Sequence, residues 1–353
     1  MMEQNEYYII GQMSGTSLDG VDLVYVKIGF KNDFYFELLN FETISYSSIW
    51  KQKLINGFKL SGNDLKKLDK DYGALLASII SEFISKNNID NIDFIASHGH
   101  TIFHKPEKGY TLQIGNGPEI FNKTNIKTIC DFRVQDVELG GQGAPLVPIG
   151  DKLLFSEYDY CLNLGGFANV STEINMKRIA YDICPANIVL NNYVSKLGLE
   201  FDDKGKLASK GIVNEPLLNE LNQLDFYKQI APKSLGFEFI ETTILPMVDK
   251  YNLEINDILR TFVEHSAIQI ATVLNKKKGK CLVTGGGTFN DFFMKRMSEL
   301  TTSELIIPSQ KIINYKEALV FAFLGYLKNL NEVNCLQSVT GASKDHSSGV
   351  IYK

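Results

Sequence analysis

The stretch GQMSGTSLDGVD, residues 11–22, places a glycine- and hydroxyl-rich turn between two strand-like segments. The segment before it, residues 7–10, reads YYII, and the segment after it, residues 21–30, reads VDLVYVKIGF. Both are rich in β-branched and aromatic residues, which favours strands. A turn between two strands needs neither this length nor these hydroxyls. Glycine lets backbone N–H groups approach an anion closely, so the stretch indicates a phosphate-binding turn.

Two further glycine turns follow apolar, strand-like segments. They are Gly165–Gly166 in NLGGFANVS and residues 285–287 in TGGGTFN. One such turn is more often structural than ligand-binding, but three at strand ends favour a nucleotide. None of them contains the GxxxxGK[ST] pattern or a clear GxGxxG pattern, which disfavours the P-loop and Rossmann folds.

The composition bounds the class of protein. The chain has 353 residues, of which 44% are hydrophobic and 22% charged, which is typical of a soluble protein with room for two domains. A net charge of −5 disfavours nucleic acid and anionic membrane as partners. There is no apolar run near the roughly 20 residues of a membrane span, and no signal-peptide pattern. Five scattered cysteines are expected to be reduced, so the expected location is cytoplasmic.

Strand-like and helix-like segments alternate along the chain, which predicts an α/β protein. Helices are expected near 64–87, 214–224, 255–275 and 315–327. The glycine- and proline-bearing loop 138–151 is the expected boundary between a first domain, 1–150, and a second, 151–353, whose C-terminal tail could pack back on the first. NLGGFANVS echoes GQMSGTS, which suggests that the two halves are related lobes.

Two groups of polar residues are candidates for chemistry. The histidines of SHGHTIFH, at 98, 100 and 104, follow a strand, where side chains commonly line a substrate crevice. Their spacing fits no strong metal motif, so a substrate-facing role is favoured over a metal site. Asp182 is expected between the strand RIAY and a helix, a placement that suits a general base.

Taken in order, these segments resemble the anhydro-N-acetylmuramic acid kinase family over nearly the whole chain. The resemblance rests on GQMSGTSLDGVD, SHGHTIFH, LQIGNG, DFRVQDVELGGQGAPLVP, NLGGFANVS, DICPAN, PKSLGFEF, TGGGTFN, KEALVFAFLGY and TGAS. It implies membership of the actin, hexokinase and heat-shock ATPase superfamily. The implied fold is a two-lobe actin-like, ribonuclease H-like fold with a cleft between the lobes that binds ATP.

The resemblance also implies the reaction, a step of cell-wall amino-sugar recycling. ATP, with Mg²⁺, would phosphorylate O6 of 1,6-anhydro-N-acetylmuramate while water attacks C1 and opens the anhydro bridge. The partner is then a small amino sugar, and a homodimer is left open. Because O6 is an ether oxygen without a proton, the base has to activate water, and Asp182 matches the catalytic aspartate of the family.

The resemblance assigns the other site residues by motif. Expected cofactor-binding residues are Ser14, Gly15, Thr16, Ser17, Asp19, Gly20 and Asp22 in the first turn, Gly165, Gly166 and Asn169 in the second, and Gly285, Gly286, Gly287 and Asn290 at the adenosine. Of these, Asp19 is expected near the sugar or a metal-bound water. Expected sugar contacts are His98, Thr101, Arg133 and Glu317, and Arg133 could pair with the lactyl carboxylate. No metal ligand is assigned.

The chain departs from the family pattern near the expected base. DICPAN, residues 182–187, stands where many members have DTGPGN, so a Thr-Gly pair becomes Ile183–Cys184 and a glycine becomes Ala186. Asn191 stands in place of an aspartate, His100 in place of a glutamine and Phe237 in place of an arginine. These changes leave the base in place and put the fine sugar specificity in question.

Three alternative functions remain open at this point. The first is an ordinary sugar kinase of the same fold, in which Asp182 would deprotonate a free hydroxyl. The second is an actin-like ATPase that serves as a binding module. The third is a zinc hydrolase built on the histidine cluster.

Overall fold

The computed structural model describes residues 6–15 and 18–353, so the expected phosphate contacts Thr16 and Ser17 lie outside the described residues. The chain divides into two compact units. The first contains the residues up to Leu154 together with Tyr315–Lys353, and the second contains Phe155–Asn314. Among the described residues, no helix combines the length and the apolar character that a membrane span needs.

The elements are numbered along the chain. The strands are β1 Tyr7–Met13, β2 Gly20–Phe30, β3 Phe34–Ser45, β4 Phe94–Ser97, β5 His100–Lys105, β6 Tyr110–Ile114, β7 Thr128–Cys130, β8 Tyr160–Leu164, β9 Phe167–Ile174, β10 Lys177–Pro185, β11 Lys280–Thr284, β12 Glu304–Ile306 and β13 Val350–Tyr352. The α-helices are α1 Ser48–Gly57, α2 Gly62–Lys86, α3 Gly117–Thr124, α4 Val134–Glu138, α5 Pro148–Leu153, α6 Asn187–Ser195, α7 Glu215–Asn222, α8 Asp225–Lys228, α9 Phe237–Phe239, α10 Leu245–Asp249, α11 Ile255–Leu274, α12 Asp291–Leu300, α13 Gln310–Asn329 and α14 Gln337–Thr340.

The first unit is built on a mixed sheet with the strand order β13-β7-β4-β1-β2-β3. Strands β1, β2 and β3 form an antiparallel meander, and β4 and β7 continue the sheet parallel to β1 on its other side. A separate two-stranded sheet, β5 and β6, follows β4. Strand β1 thus has neighbours on both sides, and the first glycine turn follows its last residue, Met13.

The second unit repeats this topology. Its sheet has the order β10-β9-β8-β11-β12, with β8, β9 and β10 as the antiparallel meander. Strands β11 and β12 extend the sheet parallel to β8. Two copies of one ribonuclease H-like sheet confirm the predicted α/β class and the predicted relation between the halves.

The long helices pack on these sheets because their apolar residues recur at helical spacing. Tyr72, Leu76 and Ile80 lie on one face of α2 and are buried in the core of the first unit. Leu259 and Phe262 of α11 are buried in the core of the second unit. Burying one such side chain contributes roughly 1.5–3 kcal/mol, so these stripes fix each helix on its sheet.

The second unit ends at Asn314, whereas the sequence led us to expect a second domain running from 151 to 353. The chain returns to the first unit because β13 pairs with β7, and α13 packs against β1. The approach of α13 is so close that a Cβ on Gly11 would lie 2.3 Å from the Ala318 carbonyl oxygen. Glycine is therefore required at this position of β1.

Candidate functional site

The first glycine turn joins β1 to β2 and is held by a buried hydroxyl network. Ser14 is buried, and its Oγ lies 2.6 Å from the Tyr46 hydroxyl and 3.1 Å from His100 Nδ1. The Tyr46 hydroxyl lies 2.5 Å from that of Tyr72. The Ser14 hydroxyl is thus already engaged by protein groups, so this side chain positions the turn.

The end of the first turn brings two carboxylates close together. Asp19 is exposed, whereas Asp22, at the start of β2, accepts a hydrogen bond of 2.6 Å from the Thr43 hydroxyl. Burial raises the pKa of the Asp22 carboxyl, the Thr43 bond opposes the rise, and the charge of Asp19 adds to it. Gly20 lies against β3, since a Cβ there would be 2.5 Å from the Ile44 carbonyl oxygen.

Three of the expected sugar contacts lie together in the first unit. Arg133 donates from Nε to His98 Nε2 at 3.0 Å and from Nη1 to the Gly143 carbonyl at 2.7 Å. Since arginine only donates, His98 Nε2 is unprotonated and Nδ1 carries the proton, which faces the Gly99 carbonyl at 3.0 Å. Arg133 and Glu317 attract each other electrostatically.

The charges of these groups are strongly influenced by the protein around them. Burial, and then the positive charge of Arg133, hold the pKa of His98 well below its usual range, so this ring is neutral at pH 7. Burial lowers the pKa of Arg133 to about 10, and the arginine remains charged at neutral pH. Burial raises the pKa of Glu317. The charge of Arg133 opposes this rise, and the charge of Asp22 adds to it. The cluster therefore presents a cation beside a carboxylate.

The other residues of SHGHTIFH point to separate partners. His100 bonds to Ser14, and burial lowers its pKa to about 4. His104 Nδ1 lies 3.0 Å from the Thr111 hydroxyl, and Thr101 accepts a hydrogen bond of 3.3 Å from Gln113. Because their ring nitrogens engage different groups, the histidines do not converge on one metal position.

A buried cluster that the sequence did not reveal lies behind Arg133. The fully buried Asp136 carboxylate accepts hydrogen bonds from the Gly143 amide at 2.7 Å, the Thr340 hydroxyl at 2.7 Å and the Cys335 thiol at 3.0 Å. His346 Nε2 lies 3.6 Å from the same carboxylate. These protein donors already stabilise the carboxylate charge, so the cluster fixes the C-terminal segment onto the loop that carries Arg133.

The second glycine turn, Gly165–Gly166, joins β8 to β9 and is held by backbone groups. The Gly166 carbonyl accepts hydrogen bonds from the amides of Ala186 at 2.8 Å and Ile188 at 3.1 Å. These bonds tie the turn to the beginning of α6. Asn169, three residues beyond the turn, is the cross-strand partner of Asp182. The predicted base therefore lies on the strand next to the second turn.

Asp182 lies inside β10, and not between a strand and a helix as expected from the sequence. The β9–β10 pairing shifts register between Asp182 and Cys184, so the strand continues through a bulge to Pro185. One carboxylate oxygen, Oδ2, accepts a hydrogen bond of 2.8 Å from the Leu235 amide. Burial raises the pKa of Asp182, and the Leu235 bond opposes that rise.

The third glycine turn borders a cavity of about 460 Å³ in the second unit. Gly286, Gly287 and Asn290, which the sequence assigned to adenosine, line it. A Cβ on Gly286 would meet no atom within 4 Å, so the backbone is open there. The wall also includes Asn187, Asn191, Phe201 and Lys204, which the sequence did not assign. Gly285 turns the chain with a φ of +87° and is not part of the lining.

Two ribonuclease H-like sheets in one chain, each with a glycine turn after its first strand, define the class of actin-like ATPases and sugar kinases. Solved structures with remote similarity include a xylulose kinase from Rhodospirillum rubrum, with a TM-score of 0.46, 10% identity, and coverage of 92% of this chain and 90% of that chain.

Sequence relatives are more informative. Residues 6–353 match the family described as anhydro-N-acetylmuramic acid kinase. The anhydro-N-acetylmuramic acid kinase of Vibrio parahaemolyticus is 35% identical, over 99% of each chain. That of Haemophilus influenzae is 33% identical, over 100% of this chain and 99% of the relative. The chain belongs to the anhydro-N-acetylmuramic acid kinase family, and it is an enzyme.

Proposed function

We propose that this protein uses ATP and water to convert 1,6-anhydro-N-acetylmuramate into N-acetylmuramate 6-phosphate and ADP. Two findings support this proposal. The first is the family membership, and the second is the Asp182 carboxylate beside the second glycine turn, of which one oxygen is held by a backbone amide. Leu235 holds Oδ2, while Oδ1 remains to accept a proton. A carboxylate in this arrangement is a suitable general base.

In the proposed reaction, Asp182 takes a proton from the water as the water oxygen forms a bond to C1. The C1–O6 bond breaks, and its electron pair stays on O6. This oxygen then forms the bond to the γ-phosphorus of ATP, and ADP leaves. No proton has to leave O6, since it is an ether oxygen in the substrate. A single base therefore serves both halves of the reaction.

The nucleotide is proposed to occupy the cavity beside the third turn. Its open Gly286 backbone and the amide side chains of Asn187 and Asn191 fit an adenosine group. The phosphates are proposed to contact backbone amides of the glycine turns, which carry no Cβ to keep an anion away. Asp19 and Asp22 offer the oxygen ligands that Mg²⁺ prefers, and the ion would neutralise the phosphate charge during transfer.

The sugar is proposed to contact the His98–Arg133 pair, Thr101 and Glu317. Arg133 uses its Nε–H and one N–H of Nη1 on protein acceptors, so the second N–H of Nη1 and the two N–H groups of Nη2 can pair with the lactyl carboxylate. The neutral His98 ring holds the guanidinium in one orientation. A planar cation fixed in this way suits recognition of a carboxylate.

The direct test is incubation of the protein with ATP, Mg²⁺ and 1,6-anhydro-N-acetylmuramate, followed by the mass of the product. We expect the mass of the sugar to rise by one phosphoryl group and one water, with a new reducing end. A product that gained the phosphoryl group without water would instead support an ordinary sugar kinase. ATP hydrolysis that is independent of sugar would support a binding module.

A further inference from the structure

The segment Lys233–Leu235, part of the PKSLGFEF motif, holds the predicted base from outside the sheet. The Asp182 backbone amide donates to the Lys233 carbonyl at 2.9 Å, and the Leu235 amide donates to Asp182 Oδ2 at 2.8 Å. The two bonds act on the backbone and on the carboxylate of one residue. Because β10 is an edge strand, this segment supplies contacts that no neighbouring strand could supply at that edge.

The segment is attached to the rest of the unit through the Lys233 side chain. Its ammonium donates to the Phe226 carbonyl at 2.8 Å and lies 4.2 Å from the centre of the Phe226 ring. It also lies 5.7 Å from the centre of the Tyr227 ring. The half-buried ammonium therefore holds the segment on α8 through a hydrogen bond and a cation–π contact.

Helix α8 is in turn fixed to α11 by buried side chains. The Tyr227 hydroxyl lies 2.8 Å from His265 Nε2, and His265 Nδ1 lies 2.7 Å from Asn222 Oδ1. Burial lowers the pKa of His265 to about 3, so the ring is neutral and its Nδ1–H donates to Asn222. Lys233 is therefore connected through α8 to the packed core of the second unit.

We propose that Lys233 is a positioning residue for catalysis, which acts by keeping the Leu235 amide on Asp182 Oδ2. This inference rests on the proposed role of Asp182 as the base. The anchored Oδ2 fixes the rotation of the carboxylate, so that Oδ1 faces the water in one orientation. The same bond stabilises the ionised form and limits the rise in the pKa of Asp182.

The other ionisable groups near the base do not provide this stabilisation. Burial raises the pKa of Cys184 to about 12, so its thiol is neutral at pH 7. The Lys233 ammonium faces Phe226, and burial lowers its pKa. Asn169 on β9, the cross-strand partner of Asp182, does not titrate. Among the described residues, the Leu235 amide is the group that lowers the pKa of Asp182.

The test compares Lys233→Met with Lys228→Met, a matched change on α8. Lys228 is exposed and, within the described part of the chain, pairs with the exposed Asp225, so its loss should leave activity unchanged. For Lys233→Met we expect kcat to fall about tenfold and the acid limb of the kcat profile to move up by about half to one pH unit. The KM for ATP should not change. Lys233→Arg keeps a hydrogen-bond donor and a cation, so its kcat and the position of its acid limb should lie close to those of the unaltered enzyme.

The outcomes separate this inference from the proposed function. A lower melting temperature and a lower kcat with an unmoved acid limb would show that Lys233 is merely structural, which would overturn the proposal. Equal effects of Lys233→Met and Lys228→Met would overturn it as well. Near-normal turnover of Asp182→Asn would show that Asp182 is not the base, and the role inferred for Lys233 would then fail as well.

Discussion

The two units share one sheet topology, but their first turns are held in different ways. The turn after β1 is long and is anchored by side chains, with Ser14 engaged by Tyr46 and His100. The turn after β8 is only Gly165–Gly166 and is anchored by backbone bonds to the beginning of α6. The same position of the fold is therefore stabilised by side chains in one copy and by the backbone in the other.

The two units also present different chemical groups. The first unit presents the charged pair Arg133 and Glu317, which suits binding of a charged sugar. The second presents the carboxylate of Asp182 beside the shorter turn and the open cavity. On this account, a change of Asp182 in the second unit should affect the rate of the chemical step, and a change of Arg133 in the first should affect sugar binding.

The largest expected effect is that of Asp182→Asn. Asparagine has the same size but cannot take a proton, so kcat should fall by about 10²–10⁴-fold, the usual contribution of a general base. ATP affinity, measured by calorimetry, should change little, because no phosphate contact is assigned to Asp182. Unchanged turnover would show that the second unit does not carry the base.

An intermediate effect is expected from Arg133→Ala in the first unit. Loss of a charge-assisted pair costs about 1.5–3 kcal/mol, or roughly ten- to a hundredfold in affinity for the muramic substrate. An analogue without the lactyl carboxylate should lose much less affinity. If both sugars weaken equally, Arg133 does not recognise the carboxylate.

The smallest effects come from adding one methyl group to each turn. Gly166→Ala should fold normally, since the nearest atom to its Cβ is Ile188 Cβ at 3.5 Å, but should raise the KM for ATP about tenfold. Gly20→Ala should instead reduce stability by about 1–3 kcal/mol, because its Cβ would clash with the Ile44 carbonyl. Thermal unfolding and KM measured on both variants would check this contrast. Similar unfolding losses in both would contradict it.

Much of the fold could be predicted from local patterns. The strands around the first turn and the helices α2 and α11 follow from the apolar periodicity, which depends on neighbouring residues. The short helix α1 and the β5–β6 pair were missed. The return of the C-terminal tail to the first unit was expected, but its starting point at Tyr315 was not. That return depends on contacts such as Thr340 with Asp136, which are 204 residues apart and leave no local signal.

The sequence identified the main residues of the candidate site but not all of their contacts. The glycine turns and Asp182 were identified from the sequence, and three of the four residues assigned to adenosine line the cavity. Their roles in binding and catalysis stay predictions. The position of Asp182 within a strand was missed, because the bulge after it depends on pairing with β9. The Leu235 contact was missed as well, since it joins residues 53 apart.

The most direct test of the central claim, that water opens the anhydro bridge by attack at C1, is the reaction in water labelled with ¹⁸O. We predict that the label appears at C1 of the N-acetylmuramate 6-phosphate and is absent from the transferred phosphoryl group, because water attacks C1 and O6 attacks phosphorus. Label in the phosphoryl group, or its absence from C1, would contradict the account.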